Sequence, residues 1–281
     1  GESVIRNEGM FGFDWAIYKG VQIAANADMR IPIFTTEEAD ILRNRFDKTE
    51  GLSGWRLNDT LIGDDRTAPT NADPEEAAGA PVTAANEGVF FNDGLDAAGI
   101  ARIAGLEQIV SLAPGQQFFE AGNILLGGGG SDTLQGNGGN DILDGDRWLN
   151  VRISIRNPAN AGQEMATVDS LKHVFDNSAA NQARGWAGKS LFELMIDRVI
   201  SPTQLNIVRE VITTGAMAAD VDTAVFNDIR ANYTITRAAN GTLTVAHTTL
   251  SNPAVDDGTD TLRNIEKLRF ADGTVDVALV F

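Results

Sequence analysis

Apolar and polar positions follow three different periods along this chain. Between residues 127 and 144 the period is nine. GGGGSDTLQ runs without a gap into GNGGNDILD, each with Gly at the first and fourth positions, Asp at the sixth and Leu at the eighth. The six leading residues predict a tight turn, because glycine adopts positive φ without steric cost. The next three predict a short strand whose apolar residue, Leu134 or Leu143, points inward. A weaker unit precedes them over 118–126, with Asn123 at the Asp position and Leu125 at the apolar one, and the register runs on into 145–150. Two units make one turn of a solenoid of about 18 residues, and successive turns stack. Parts of the same grammar recur in GMFGFDWAI (9–17), GWRLNDTLI (54–62), DTAVF (222–226) and GTDTL (258–262).

Elsewhere the period is two or near 3.6. Leu149, Val151, Ile153 and Ile155 alternate as a strand over 148–156, and 205–212 reads as another. Residues 233–237 and 242–247, separated by Ala-Ala-Asn-Gly, read as a hairpin. Ile100, Ile103, Leu106 and Val110 predict a helix over 96–110. Ser190 with Glu193 is a capping-box signature that opens a helix carrying Leu191, Leu194, Met195 and Val199 on one side, stopped before Pro202. Pro69, Pro74 and Pro81 in an Ala-rich acidic stretch read as an exposed excursion. The predicted fold is mainly β, a split calcium-binding parallel β-roll with a helical excursion and a strand-rich α+β C-terminal cap. Its parts are the first piece of the roll over 1–66, the excursion over 67–117, the repeats over 118–150 and the cap over 151–281. The opening at Gly1 is read as the start of a piece of a longer protein.

Composition sharpens this picture. Asp+Glu is 39 against Lys+Arg 22, a formal charge of −17, which repels nucleic acid and anionic membranes and attracts cations. There is no cysteine, so disulfides, zinc–thiolate sites and thiol nucleophiles are excluded. No apolar run approaches the roughly 20 residues of a membrane span. The carboxylates matter through their position beside the glycines. When turns stack, the Asp of one turn and carbonyl oxygens of the next converge on a hard cation, and Ca2+ suits such an irregular set of oxygens. The candidate ligands are Asp132 and Asp141, then Asp59, Asp14 and Asp260, with Asn123 and Asn150 at aligned positions. The turn residues Gly127, Gly129, Ser131, Gly136, Gly138 and Asn140 complete the set. In this register 127–132 faces 145–150, and 118–123 faces 136–141.

The tandem GGGGSDTLQGNGGNDILDGD resembles the RTX repeats of proteins exported by type I secretion. EGLSGWRLNDTLIGDD (50–65) and NILLGGGGSDTLQGNGGNDILDGDRWLNVRIS (123–154) are similar to the calcium-binding C-terminal region of large bacterial proteins carrying an animal-type haem peroxidase domain. GFDWAIYKGVQI (12–23) and the stretches within 222–274 fit the same region, and related split modules occur in giant RTX adhesins. The resemblance implies export unfolded through a C-terminal signal of a Gram-negative cell, then folding on calcium outside it. Its implied partners are calcium, the type I secretion apparatus and a cell-surface or glycan ligand. The long runs of perfect repeats found in toxins are missing here.

For catalysis the chain offers little. A haem site needs a proximal His and a distal acid/base group. The two histidines, His173 and His247, sit in segments that read as structural. HExxH, G-x-S-x-G and P-loop motifs are absent. Trp15, Trp55, Trp148 and Trp186 read as packing residues rather than sugar platforms. Three functions follow as expectations: a non-catalytic calcium-triggered structural and secretion module, an adhesin scaffold or ligand-binding module, and an accessory region of a peroxidase-type enzyme. Residues 276–281, an acid followed by five apolar residues, read either as a last strand or as a secretion signal.

Overall fold

The computed structural model describes residues 6–9, 12–35, 37, 40, 42–66, 94–119, 122–215, 217–252 and 255–281. The prolines of the excursion, over 67–93, lie outside them. The fold is mainly β. It divides into two compact units, Gly1–Leu149 with Val211–Phe281, and Asn150–Glu210.

Two sheets of very short strands build the first unit. In one, Asn26–Asp28, Thr60–Ile62, Thr133–Gln135, Thr223–Val225 and Lys267–Phe270 pair parallel in that order. In the other, Trp15–Ile17, Gly51–Ser53, Ile124–Leu126, Ile142–Asp144 and Thr259–Arg263 do the same. The chain passes from one sheet to the other and back. Three-residue strands show why a nine-residue period carries one apolar letter: only the middle side chain faces inward. Those middle residues are in register, Ala27–Leu61–Leu134–Ala224–Leu268 on one side and Ala16–Leu52–Leu125–Leu143–Leu262 on the other. All are buried and form one core. The parallel stack ends in antiparallel strands, Gly273–Asp276 in the first sheet and Leu243–His247 with Tyr233–Arg237 in the second. Phe226 stacks on Phe270 there and Tyr233 packs tilted against both, with centroids 5.2–5.3 Å apart.

The strands at 223–225, 259–263 and 267–270 change the expected boundaries. Residues 151–281 are not one cap: 211–281 belong to the first unit, and 150–210 form the second. The second unit has its own core of Ile155, Val168, Phe175, Trp186, Leu191, Leu194 and Ile200. Strand Trp148–Asn157 runs antiparallel to Asn160–Val168. The helix Leu191–Ile196 opens with the reciprocal Ser190–Glu193 capping box read from the sequence.

Two local expectations are corrected. The helix over 96–110 is broken into Ala97–Ala101, capped by Asp96, and a 3-10 turn Leu106–Gln108. Gly105, at φ 85°, interrupts it, and the apolar spacing survives because Ile100, Ile103, Leu106 and Val110 all stay buried. At the C-terminus the strand ends at Asp276, and Val277–Leu279 is a 3-10 turn with Val277 buried and Leu279 and Phe281 exposed. Trp148 and Trp186 are buried, whereas Trp15 and Trp55 are only partly covered. Among the described residues no helix is long and apolar enough to cross a membrane.

Candidate metal centre

At every bend but the one before Ala27, a carboxylate or amide side chain stands two residues ahead of the inward apolar one. Asp59, Asp132, Asp222 and Glu266 precede Leu61, Leu134, Ala224 and Leu268 along one edge. Asp14, Glu50, Asn123, Asp141 and Asp260 precede Ala16, Leu52, Leu125, Leu143 and Leu262 along the other. Parallel stacking brings these side chains into columns, and each reaches back one turn. Ala25 N–H donates to Asp59 Oδ1 at 2.6 Å, Asp59 N–H to Asp132 Oδ1 at 2.6 Å, Asp132 N–H to Asp222 Oδ1 at 2.7 Å and Asp222 N–H to Glu266 Oε2 at 2.8 Å. On the opposite edge Asp14 N–H donates to Glu50 Oε2 at 2.7 Å, Asn123 N–H to Asp141 Oδ1 at 2.6 Å and Asp141 N–H to Asp260 Oδ1 at 2.9 Å.

The backbone thus satisfies one oxygen each of Asp132, Asp222, Glu266, Glu50, Asp141 and Asp260, and both of Asp59, whose Oδ2 accepts Trp55 N–H at 2.9 Å. The second oxygens of Asp132 and Asp141 are buried and have no hydrogen-bond partner. Leaving a carboxylate oxygen buried and unpaired costs several kcal/mol unless a proton or cation meets it (~1–3 kcal/mol even for a neutral group). The glycine at the first position of each unit creates the space around it. A Cβ on Gly127 would lie 2.3 Å from Asp132 Oδ2 and 2.7 Å from the Gly145 carbonyl oxygen. A Cβ on Gly54 would meet Asp59 Oδ2 and the Gly127 carbonyl, and one on Gly145 would meet Asp222 Oδ2 and the Asn264 carbonyl. The same cradle recurs with an amide at Gly63, facing Asn123 Oδ1 and the Gly136 carbonyl.

Electrostatics agree with the geometry. Burial pushes the Asp132 carboxyl up to about 8, aided by the charges of Asp222, Asp59 and Asp220. Burial pushes Asp222 up to about 7, with Glu266, Asp146 and Asp220 adding to it. Asp141 and Asp260 are raised well above the carboxylate range by burial, Asp260 further by the charge of Asp141. Asp59 is raised by burial alone, against hydrogen bonds from Trp55 and Ala25 N–H. Burial thus favours the protonated form of Asp132, Asp222, Asp141 and Asp260.

The remaining candidates fall around the columns. Asp14 is half-buried at the start of the second one. Gly129 N–H donates to the Trp55 carbonyl, and Ser131 takes the Asn58 side-chain oxygen with its N–H and Val221 N–H with its hydroxyl. Gly138 N–H reaches Asp65 Oδ1 at 3.3 Å, Gly136 packs beneath Asp141 Oδ2, and Asn140 Oδ1 accepts Thr259 N–H. Asn150 is a correction. It lies in the second unit, where its amide donates to Glu210 Oε1 at 2.8 Å. The expected stacking of 127–132 on 145–150 begins, with Gly127 and Gly128 N–H bonded to the carbonyls of Asp144 and Gly145, but Asp222 takes the rung that the linear count gives to Asn150. Glu50 and Glu266 also stand on rungs that the nine-residue pattern does not mark. Among the described residues no three Asp, Glu or His side chains converge on one point, so each oxygen set is a carboxylate with backbone carbonyls.

His247 is held inside a network rather than facing a cleft. Its Nδ1 accepts Asp257 N–H at 3.1 Å, its Nε2 lies 3.2 Å from Asp228 Oδ2, and its ring stacks on Tyr233 at 4.3 Å. His173 packs edge-on against Phe175 at 5.2 Å.

The cradle gives a direct prediction. Gly127→Ala drives a methyl into Asp132 Oδ2 and the Gly145 carbonyl, and is expected to destabilise the first unit by roughly 1–3 kcal/mol, as overpacking does. Gly162→Ala, whose Cβ would meet only Asn160 Oδ1 at 3.4 Å, is the control. Equal melting temperatures for the two variants would contradict the cradle. Comparison of the chain with protein-family models, with curated proteins and with solved structures returns no match.

Proposed function

We propose that this chain is a calcium-binding, non-catalytic module of the RTX type, part of a larger protein exported by type I secretion and folded on calcium outside the cell. On this reading the two parallel sheets are those of a split β-roll, and the module serves as a structural scaffold. The observation that carries it is the pair of buried, unpartnered oxygens on Asp132 and Asp141, set where the nine-residue pattern places its Asp.

The residues present fit a hard cation. Every donor is oxygen, there is no cysteine, and His247 is committed to Asp228 and Asp257. Asp59, Asp132, Asp222, Asp141 and Asp260 would hold the ions with the carbonyls of Gly127, Gly136, Gly145 and Asn264. Mixed carboxylates and carbonyls in irregular turns favour Ca2+ over Mg2+, which demands near-ideal octahedra. The bound ion would supply the charge that these buried carboxylates otherwise take as protons.

Isothermal titration calorimetry of the full chain with CaCl2 tests this. More than one ion per chain is expected, with dissociation constants near ~10⁻⁴–10⁻³ M, the range of extracellular modules. No heat of binding up to ten millimolar calcium at pH 8 (about ten times the upper end of that range) would remove the proposal.

A further inference from the structure

Residues 145–146 and 220–222 share one compact unit although 147–219 separate them in sequence. Around the turn over 127–132 they do the work of a single segment. Gly127 N–H donates to the Asp144 carbonyl at 2.9 Å and Gly128 N–H to the Gly145 carbonyl at 2.8 Å. The chain then leaves, and the returning segment continues the same stack. Gly130 N–H donates to Asp220 Oδ2 at 3.1 Å, Val221 N–H to Ser131 Oγ at 2.9 Å, Asp132 N–H to Asp222 Oδ1 at 2.7 Å and Thr223 N–H to the Asp132 carbonyl at 2.9 Å. The turn that should follow 127–132 is therefore split in its middle, and everything from 147 to 219 is inserted there.

Asp132 points into this junction. Its residue is 1 % exposed, and its Oδ2 has no partner and converges with the Gly145 carbonyl over Gly127. Acidic charge surrounds the same place. Asp220 Oδ2 and Asp222 Oδ1 accept the Gly130 and Asp132 N–H groups, and a Cβ on Gly145 would lie 2.3 Å from Asp222 Oδ2. The nine-residue pattern marks neither Asp146, Asp220 nor Glu266.

We infer that the ion held at Asp132 bridges the two ends of the insertion, with Asp132 and the Gly145 carbonyl supplied before it and the charge of Asp220 and Asp222 supplied after it. The inference rests on the calcium reading above and adds to it that calcium closes the base of the insertion. Within the first unit, Trp148 Nε1–H on one stem donates to the Thr214 carbonyl on the other at 2.9 Å, and Val211 N–H donates to the Ala104 carbonyl at 2.8 Å. With the ion bound, the segment 220–225 is fastened onto 130–135. Without it, no cation meets the acidic side chains of Asp132, Asp220 and Asp222 at the junction.

Calorimetry with CaCl2 on the full chain and two variants tests the bridge. Asp220→Asn with Asp222→Asn, which keeps the side-chain shapes, is expected to lose one ion from the stoichiometry or at least tenfold in its affinity. Asp141→Asn, on the opposite edge, is expected to lose a different ion, so that combining all three removes both. If the Asp220/Asp222 variant binds calcium like the unmodified chain while Asp141→Asn loses an ion, the bridge is wrong and the calcium reading stands. If the unmodified chain takes up no calcium, both fall. Should the double variant fail to fold, hydrogen exchange on the unmodified chain decides. At free calcium of 100 times the dissociation constant, protection of the Asp132 and Thr223 amides is expected to rise about 100-fold. Unchanged protection there, with a rise at Asn123 and Asp141, overturns the bridge.

Discussion

Stripping calcium from the full chain with excess chelator at pH 8 is expected to lower its melting temperature by roughly 10–20 °C. The figure follows from the ions alone. A site filled to about 100 times its dissociation constant contributes ~2.7 kcal/mol, so two sites contribute ~5 kcal/mol. In a protein of this size each kcal/mol moves the melting point by about 2–4 °C. Against total stabilities of ~5–15 kcal/mol this is a large share. The core is the reason for this expectation. Each three-residue strand of the two sheets gives it one side chain, several of them Ala (Ala16, Ala27 and Ala224), while the bends bury the carboxylates of Asp59, Asp132 and Asp222 on one edge and Glu50, Asp141 and Asp260 on the other. Asp132→Asn with Asp141→Asn is expected to melt at nearly the same temperature with and without calcium, because the two orphaned oxygens are then amides that need no counter-ion. Differential scanning calorimetry on both chains, in calcium and in chelator, makes the comparison. A wild-type melting point indifferent to chelator would contradict the scheme.

What the sequence makes legible here is local, and what it hides is long-range. Leu125, Leu134 and Leu143, nine apart, announce three consecutive strands that alternate between the two sheets. The Ser190 box and the 233–247 hairpin are equally local, and both stand where capping and turn chemistry put them. The columns themselves are also written in the chain, as an acid or amide two residues ahead of an inward apolar residue. That rule includes Glu50-Gly51-Leu52 and Glu266-Lys267-Leu268, which a search for the glycine-rich turn passes over because their bends are built differently. Asn150 shows the limit. Counted from Gly145 it takes the sixth position, but a departing strand already begins at Trp148, and Asp222 fills the rung from the far side of an insertion. No linear register contains that information, since it depends on where the chain returns. Gly105 is the smaller case: apolar spacing over 96–110 sees one helical face, and a residue at φ 85° divides it while keeping the face buried.

Acidification is expected to stabilise the calcium-free chain between pH 8 and about 5, the reverse of the usual behaviour of carboxylates held by cationic partners. Asp132, Asp222 and Asp146 sit at about 8, about 7 and about 6 in the folded chain, all above the value of ~4 that Asp has when unfolded. The folded state therefore holds protons that the unfolded state gives up, and stability falls wherever the folded state binds more protons. The contribution is fully present below about pH 4 and is lost as pH rises through 6, 7 and 8. A buried carboxyl that titrates one pH unit higher in the folded chain than in the unfolded one contributes at most ~1.4 kcal/mol in this way. Asp28, held down against its burial by the hydrogen bond and charge of Arg30, and Glu164, held down by Ser154 and Arg152, act in the opposite sense, but only as they protonate below the ordinary carboxylate range. On the calcium proposal, the ion is expected to change the slope by taking the place of those protons. Its apparent affinity is expected to rise between pH 5.5 and 8, by up to about tenfold per pH unit for each proton displaced. Thermal melts in chelator and in millimolar calcium across this interval should therefore diverge with rising pH, nearly coinciding at pH 5.5 and separating most at pH 8. A calcium-free chain that melts higher at pH 8 than at pH 5.5 would show that the buried carboxylates are already paired by something other than a proton or a metal ion.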